Sequence, residues 1–408
     1  MRILVAGGTW YPERNGVSRV ASEVGRKLAE CGHEVTALVP RQNDLPTEER
    51  DGLLTVHRVI ERGFLPVTMK DIFQTSRHAR SLGDFDVLLA HGSAAAVGLS
   101  RARLPAPMVL AYYASLPREL RYMRRRLPWK RERFVAYLNE PMTVWVDRVA
   151  LRRCARILIL SEFTRSLLKA DHPDCGPKIR EVSGGVETHS FSPADGMSAA
   201  RSRLGLDPRE RLLVTVRRAE PRMGLEQLLH AIRMLPEEIK LAVVGGGLLT
   251  SELRRLSSEL GVDGRVRFTG RVAEEKLPDW YRAADLFVLP TVAYEGFGMV
   301  TVEALASGTP VVGTPAGATP ELLTPLDPRF VARGSDPDSL AVAIREALAF
   351  INDDVRTRCR KYALARFDWK LVTHKWEDAL AEAAQNTAGA SVPAQPEGGL
   401  KGAKGHER

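Results

Sequence analysis

Cysteine is scarce: four in 408 residues, at Cys31, Cys154, Cys175 and Cys359, with no Cys-x-x-Cys pair. That pattern excludes a disulfide framework and zinc-type ligand spacing, and it fits a reducing compartment. Long apolar runs are absent as well. No stretch approaches the roughly 20 apolar residues of a membrane-spanning helix. Residues 1–6 are apolar behind one Arg but too brief for the core of a secretory signal, so export is not expected and the cytoplasm is the predicted compartment. Aromatics amount to 6%, and of 59 basic residues only 12 are Lys. The Arg excess reflects a GC-rich coding sequence more than a partner. Arg and Glu are interspersed, and no zinc-finger or RNA-binding signature is present, so nucleic acid is not a predicted ligand.

What is present is ordinary globular material, 44% hydrophobic and 27% charged, enough for two cores. Short apolar runs at 3–6, 35–39, 87–90, 108–111 and 157–160 read as buried strands, with helix-length segments between them. The rhythm restarts after Pro193, with strands at 212–216, 241–244, 266–269, 286–289 and 311–313. Two runs of alternating strand and helix predict an α/β chain of two Rossmann-like, doubly wound domains. The boundaries are set at 1–185 and 186–367, with a linker over 184–203. A helix over about 368–385 is expected to pack back on the first domain. Residues 386–408, rich in Gly, Ala, Pro and Lys, read as a disordered tail.

Ligands of such sheets bind beyond the carboxyl ends of the strands. The loop after 286–289 is the most informative. Gly296 and Gly298 allow close backbone approach, and a helical pattern begins at Met299. The N–H groups of Gly298, Met299, Val300 and Thr301 would face an anion at a helix start. Glu295 and Glu303 flank that start. Carboxylates there repel phosphate unless they bind something else, and sugar hydroxyls are natural partners. The alternative is a capping Glu295 and a surface Glu303. After 212–216, Arg217, Arg218 and Arg222 supply positive charge suited to a diphosphate, or form a solvated basic loop. Gly245, Gly246 and Gly247 form a tight turn or a binding loop. Gly7, Gly8 and Gly16 do not have the G-x-G-x-x-G spacing of a dinucleotide fingerprint.

Taken together, these loops resemble the retaining GT-B glycosyltransferases of family 4. Glu295 to Glu303 resembles that family's Glu-x7-Glu motif. Ser161-Glu-Phe-Thr-Arg165, Gly184-Gly185-Val186-Glu187 with Phe191, Gly245-Gly246-Gly247, Phe268-Thr269-Gly270-Arg271-Val272 and Gly308-Thr309-Pro310-Val311 resemble further family segments in order. The resemblance implies a GT-B fold and metal-independent transfer, with retention, of a hexose or N-acetylhexosamine from a nucleotide-sugar. UDP-sugar is favoured and GDP-sugar second. The nucleotide-sugar is a substrate, so no cofactor is implied. On this reading Glu303 holds the donor ribose, Glu295 the sugar hydroxyls and Arg218 the diphosphate, with Arg222 beside it. The helix start at 298–301 takes phosphate oxygens, 270–272 meets the base with Gly246 nearby, and Gly16 approaches the diphosphate.

Two positions depart from the family pattern. Met223 stands where Lys is usual, and Tyr113 stands where His is usual. Tyr112, Tyr113 and His91 are the acceptor-side candidates. A nucleotide-sugar epimerase and a silent nucleotide-sugar-binding protein remain alternatives. The acceptor is expected to be a cell-envelope glycan or lipid, or a small biosynthetic metabolite. The Arg-rich stretch 118–134, interleaved with Tyr122, Leu127, Trp129 and Phe134, suggests peripheral contact with anionic membrane, an acidic acceptor, or a charged flap over the cleft.

Overall fold

The computed structural model describes residues 1–13, 15–42, 44–61, 69–126 and 131–389. The first half forms an eight-stranded sheet: β1 (Arg2–Gly7), β2 (Glu34–Pro40), β3 (Glu48–Asp51), β4 (Leu54–Ile60), β5 (Val87–His91), β6 (Met108–Ala111), β7 (Arg156–Ile159) and β8 (Ile179–Glu181). Their spatial order is β3-β4-β2-β1-β5-β6-β7-β8, and β3 is antiparallel to β4. The second half forms a parallel five-stranded sheet of β9 (Arg211–Val216), β10 (Ile239–Val244), β11 (Val266–Gly270), β12 (Leu286–Leu289) and β13 (Val311–Gly313). Its order is β11-β10-β9-β12-β13. The chain is an α/β protein with two Rossmann-like parallel-sheet domains. Central strands such as β5 and β12 are buried along their whole length. Helices on both faces explain why they read as continuous apolar runs and not as alternation.

Three strands escaped the sequence reading. β3 is Glu-Glu-Arg-Asp and fully exposed, an edge strand with no apolar residue to betray it. β4 alternates buried and half-buried residues, and β8 is only three residues long. The expected linker is corrected too, because a helix, Gly196–Leu204, occupies part of it. The start of that segment is tightly packed. A Cβ on Gly185 would lie 2.4 Å from the Trp369 ring, so only glycine lets the chain pass between the two halves there. The expected tail is also corrected at its start. The final helix, Trp369–Gly389, runs past residue 385, and residues 390–408 lie outside the described residues.

That last helix returns to the first sheet. Trp376 is fully buried, and its indole Nε1 donates to the Ser183 carbonyl at 3.0 Å. Glu377 meets His33 Nε2 at 2.9 Å. The Trp376 ring stacks behind His91 at the end of β5, centroids 6.1 Å apart.

In each sheet the winding reverses between two neighbouring strands, β1 and β5 in the first and β9 and β12 in the second. The loops beyond these four strand ends face one another across a single cleft. A crevice at such a reversal is where doubly wound sheets bind ligands. Trp376→Ala should cost about 3–5 kcal/mol of stability, the usual loss for truncating a buried Trp. Urea denaturation followed by fluorescence and circular dichroism checks this. A loss below roughly 1 kcal/mol would show that the returning helix is not part of the cooperative core.

Candidate active site

The cleft has a volume of about 880 Å³. The second-sheet wall is built by the loop after β12. Gly298 turns the chain with φ of +95° into the short helix Met299–Ala306. Gly296 approaches the opposite wall so closely that a Cβ there would sit 2.6 Å from the Tyr113 carbonyl oxygen. The Gly296 carbonyl accepts from the Ser161 hydroxyl at 2.6 Å, and Ser161 caps the helix Glu162–Asp171 of the first domain. Glu321 closes the same side, accepting from the Glu162 and Phe163 N–H groups at 2.8 and 2.6 Å.

Glu295 and Glu303 are both buried and both line the cleft. The alternative of a surface Glu303 is thereby excluded. Glu295 accepts from Arg217 Nη2 at 2.7 Å and from the Thr291 hydroxyl at 2.9 Å. Burial alone would raise its carboxyl, but Arg217 and then Arg222 outweigh burial and hold it below the usual carboxylate range. Glu303 accepts from the Tyr281 hydroxyl at 2.6 Å and pairs with Arg19, which crosses from the first domain. Arg19 also pairs with Glu274 at 2.9 Å. Here burial dominates and pushes the Glu303 carboxyl up despite Arg19 and Tyr281. Two carboxylates on one loop and helix are therefore driven in opposite directions.

Arg218 lines the cleft but is half exposed and pairs with Glu220 at 2.7 Å. The guanidinium on Glu295 belongs to its neighbour, Arg217, one step nearer the end of β9. Arg222 is buried in the cleft wall, donating to the Tyr294 carbonyl at 3.2 Å and facing Glu119 at 3.3 Å. Met223 is buried beside it. Gly16, Gly246, Arg271, Val272, Gly298, Met299 and Val300 all line the cleft, while Gly270 and Thr301 are not among its lining residues. The expectation of a free N–H on Thr301 is corrected, since it already donates to the Gly298 carbonyl at 2.9 Å and tightens the first turn.

On the first-sheet wall, β5 and β6 place His91 opposite Ala111 in register, so His91 and Tyr113 emerge side by side. His91 Nδ1 and the Tyr113 hydroxyl are hydrogen-bonded, and the rings stack at 5.9 Å. Burial lowers the His91 imidazole to about 3 and raises the Tyr113 phenol well above its ordinary value. His91 is thus neutral across the physiological range. Tyr112 points the other way, its hydroxyl donating to Asp147 at 2.9 Å.

Of the Arg-rich stretch, residues 127–130 lie outside the described residues. Arg118 pairs with Asp171, and Arg121 and Arg124 both pair with Glu140. Among the described residues no helix is long and apolar enough to cross a membrane, and no cluster of His, Cys, Asp and Glu is arranged to hold a metal.

Two family descriptions match in tandem: "Glycosyltransferase Family 4" over residues 14–190 and "Glycosyl transferases group 1" over 197–366. The chain belongs to the family-4 GT-B glycosyltransferases. One curated relative is the D-inositol 3-phosphate glycosyltransferase of Streptomyces scabiei, 34% identical over 50% of this chain and 48% of its own length. The chain thus spans about half the length of that relative. Another is the GDP-mannose-dependent alpha-(1-6)-phosphatidylinositol monomannoside mannosyltransferase of Mycolicibacterium smegmatis, 28% identical over 95% of this chain and 98% of that protein. Among solved structures, sucrose-phosphate synthase from Thermosynechococcus elongatus superposes with a TM-score of 0.78 at 20% identity, covering 96% of this chain and all of that one. Anabaena HepE, in complex with UDP and glucose, gives 0.73 at 18% identity over 94% of this chain. These structural likenesses establish the GT-B fold.

Within this GT-B frame Arg19 and Asp147 carry no motif signal in the sequence, and Arg217 was expected only as positive charge for a diphosphate, not as the partner of Glu295. Arg19 lies three residues after Gly16 at a helix start, the spacing that puts both on one helix face. Arg217 was visible as one of a pair whose inward member the strand end decides. Asp147 sits within a long helix, Arg131–Arg153, with no motif around it. Arg217→Met should cost about 3–5 kcal/mol near pH 7, because it leaves the buried Glu295 without its hydrogen-bonded guanidinium and with only the more distant Arg222 to oppose burial. The paired Glu295 has a lowered carboxyl, so its stabilisation is present above about pH 4.5 and is lost only as pH falls through the lower folded value. The unpaired carboxyl in the variant would rise instead, favouring the folded state as it protonates. The penalty should therefore shrink between pH 7 and 5, as chemical denaturation at each pH will report. A penalty constant over that range would place the cost of the substitution elsewhere.

Proposed function

We propose that the chain transfers a hexose or N-acetylhexosamine, with retention and without metal, from a nucleoside diphosphate sugar to an acceptor hydroxyl. UDP-sugar is the first donor and GDP-sugar the second; the mycolicibacterial relative is named as GDP-mannose-dependent. The observation that carries the reading is the pair Glu295 and Glu303, buried at the reversal of the second sheet with Arg217 on one and Arg19 on the other. An anionic Glu295 suits sugar hydroxyls. Glu303, near Tyr281, suits the ribose. Arg222 and Arg218, with the N–H groups of Met299 and Val300, suit the diphosphate.

In this scheme the bond from the anomeric carbon to the diphosphate oxygen breaks through an oxocarbenium-like state. The acceptor oxygen attacks the same face, and its proton passes to a leaving phosphate oxygen. No side-chain base is required, which accords with a His91 imidazole lowered to about 3 by burial. Guanidinium and N–H groups already in place stabilise the charge that grows on the diphosphate, a contribution of about 10²–10³ in rate per donor.

The acceptor is a cell-envelope glycan or lipid, or a small metabolite, met in the cytoplasm. Contact with an anionic membrane would rest on the exposed Arg125 and Arg126, since their described neighbours are ion-paired.

Glu295→Ala should lower transfer by about 10²–10³ while nucleotide binding survives, and a chelator should leave the wild-type rate unchanged. Proton NMR of the product should show the donor's anomeric configuration. Release of an altered sugar without acceptor would favour the epimerase, and binding without turnover the silent protein.

A further inference from the structure

We propose that the first-sheet wall of the cleft takes an acceptor carrying a protonated amine on a hydroxyl-rich frame, with Asp147 as the carboxylate that meets the amine. The inference rests on the transferase reading above. It begins with an imbalance between the two walls. Among the described lining residues, Arg217, Arg218, Arg222 and Arg271 stand on the second-sheet side against Glu274, Glu295 and Glu303. On the first-sheet side the sign reverses. Glu13, Glu23, Glu49, Asp51, Glu119 and Asp147 line it. The guanidinium groups there are Arg19, Arg26 and Arg58, and each is already paired: with Glu303 and Glu274, with Glu23, and with Glu49. No lysine lines the described cleft.

A phosphorylated acceptor would meet that wall without an uncommitted cation among the described residues. Asp147 stands out for a second reason. It is 4% exposed, and among the described residues the partners of its carboxylate are hydroxyls, Tyr112 at 2.9 Å and Ser93, not a cation. A buried carboxylate held only by neutral donors carries uncompensated charge, which a cationic ligand relieves. Both hydroxyl partners stand just beyond strand ends that line the cleft, Ser93 after β5 and Tyr112 after β6. A carboxylate held between hydroxyls on a cleft wall is a group set that recognises a polyol bearing an amine.

Burial raises the Asp147 carboxyl to about 6, with Asp171 adding to the rise; the Tyr112 and Ser93 hydroxyls oppose it, and Asp171 is itself neutralised by Arg118. The carboxylate is therefore charged at pH 7 and lost as pH falls through about 6, while an aliphatic amine stays protonated throughout that window.

The test is calorimetric. The wild-type chain is first titrated with UDP and GDP. The complex is then titrated with glucosamine, glucose and inositol 3-phosphate at pH 7. Glucosamine should bind about ten- to a hundredfold tighter than glucose, the range for a charge-assisted contact, and tighter than inositol 3-phosphate. Asp147→Asn should erase the preference for glucosamine without changing the nucleotide affinity. Should that variant fail to fold, the wild-type preference measured from pH 7 to 5 should collapse through about 6. Equal binding of glucosamine and glucose, tighter binding of inositol 3-phosphate, or a preference indifferent both to Asp147→Asn and to pH would overturn the inference. Failure of both nucleotides to bind would instead overturn the transferase reading.

Discussion

Two carboxylates buried on one loop and the helix that follows it cannot be left to themselves, and the site is organised around the guanidinium groups that hold them. Arg217 reaches Glu295 from within the second domain, and Arg19 reaches Glu303 from the first. Removing either cation would strand a charge in the interior, a penalty of several kcal/mol. The outcome differs at the two positions. Around Glu295 positive charge wins over burial, and around Glu303 burial wins. The same loop thus presents one carboxyl that stays anionic and one that is easier to protonate, a separation often associated with divided roles in a site. Because Arg19 sits on the helix Gly16–Glu30 of the first domain, the integrity of the second carboxylate depends on the two domains staying in contact.

That contact is made by backbone as much as by charge. The Ser161 hydroxyl on the Gly296 carbonyl, and Glu321 on the N–H groups of Glu162 and Phe163, join the walls next to the carboxylates. Each satisfies groups that a helix start or a tight loop would otherwise leave unpaired. The returning helix Trp369–Gly389 supports the first wall from behind, where Trp376 packs against His91. The stack of Tyr113, His91 and Trp376 therefore ties the helix Trp369–Gly389 to the first-sheet wall of the cleft.

Much of this was legible in the residues, and the exceptions have physical causes. Strands buried on both faces announce themselves as apolar runs, which is why β5, β6, β12 and β13 were found to within a residue. β3 has no apolar residue, and its pairing depends on β4 alone. Glu295 and Glu303 were readable because a glycine-rich turn and a helix start lie between them. Their partners were not, because an ion pair joining residues 19 and 303 leaves no local trace. Arg217 and Arg218 could be told apart only once the end of β9 had fixed which side chain turns inward. Asp147 is an acidic residue in a helix until the fold sets Tyr112 and Ser93 against it.

The claim on which the account turns is that Glu303 belongs to the nucleotide site. Isothermal titration of UDP and GDP, without added metal, into the wild-type chain and into Glu303→Ala tests it directly. The account predicts that one nucleoside diphosphate binds the wild type and that the variant binds it about tenfold or more weakly, the loss of one charged hydrogen-bonding partner. Equal affinity for the two proteins, or no binding of either nucleotide to the wild type, would contradict it.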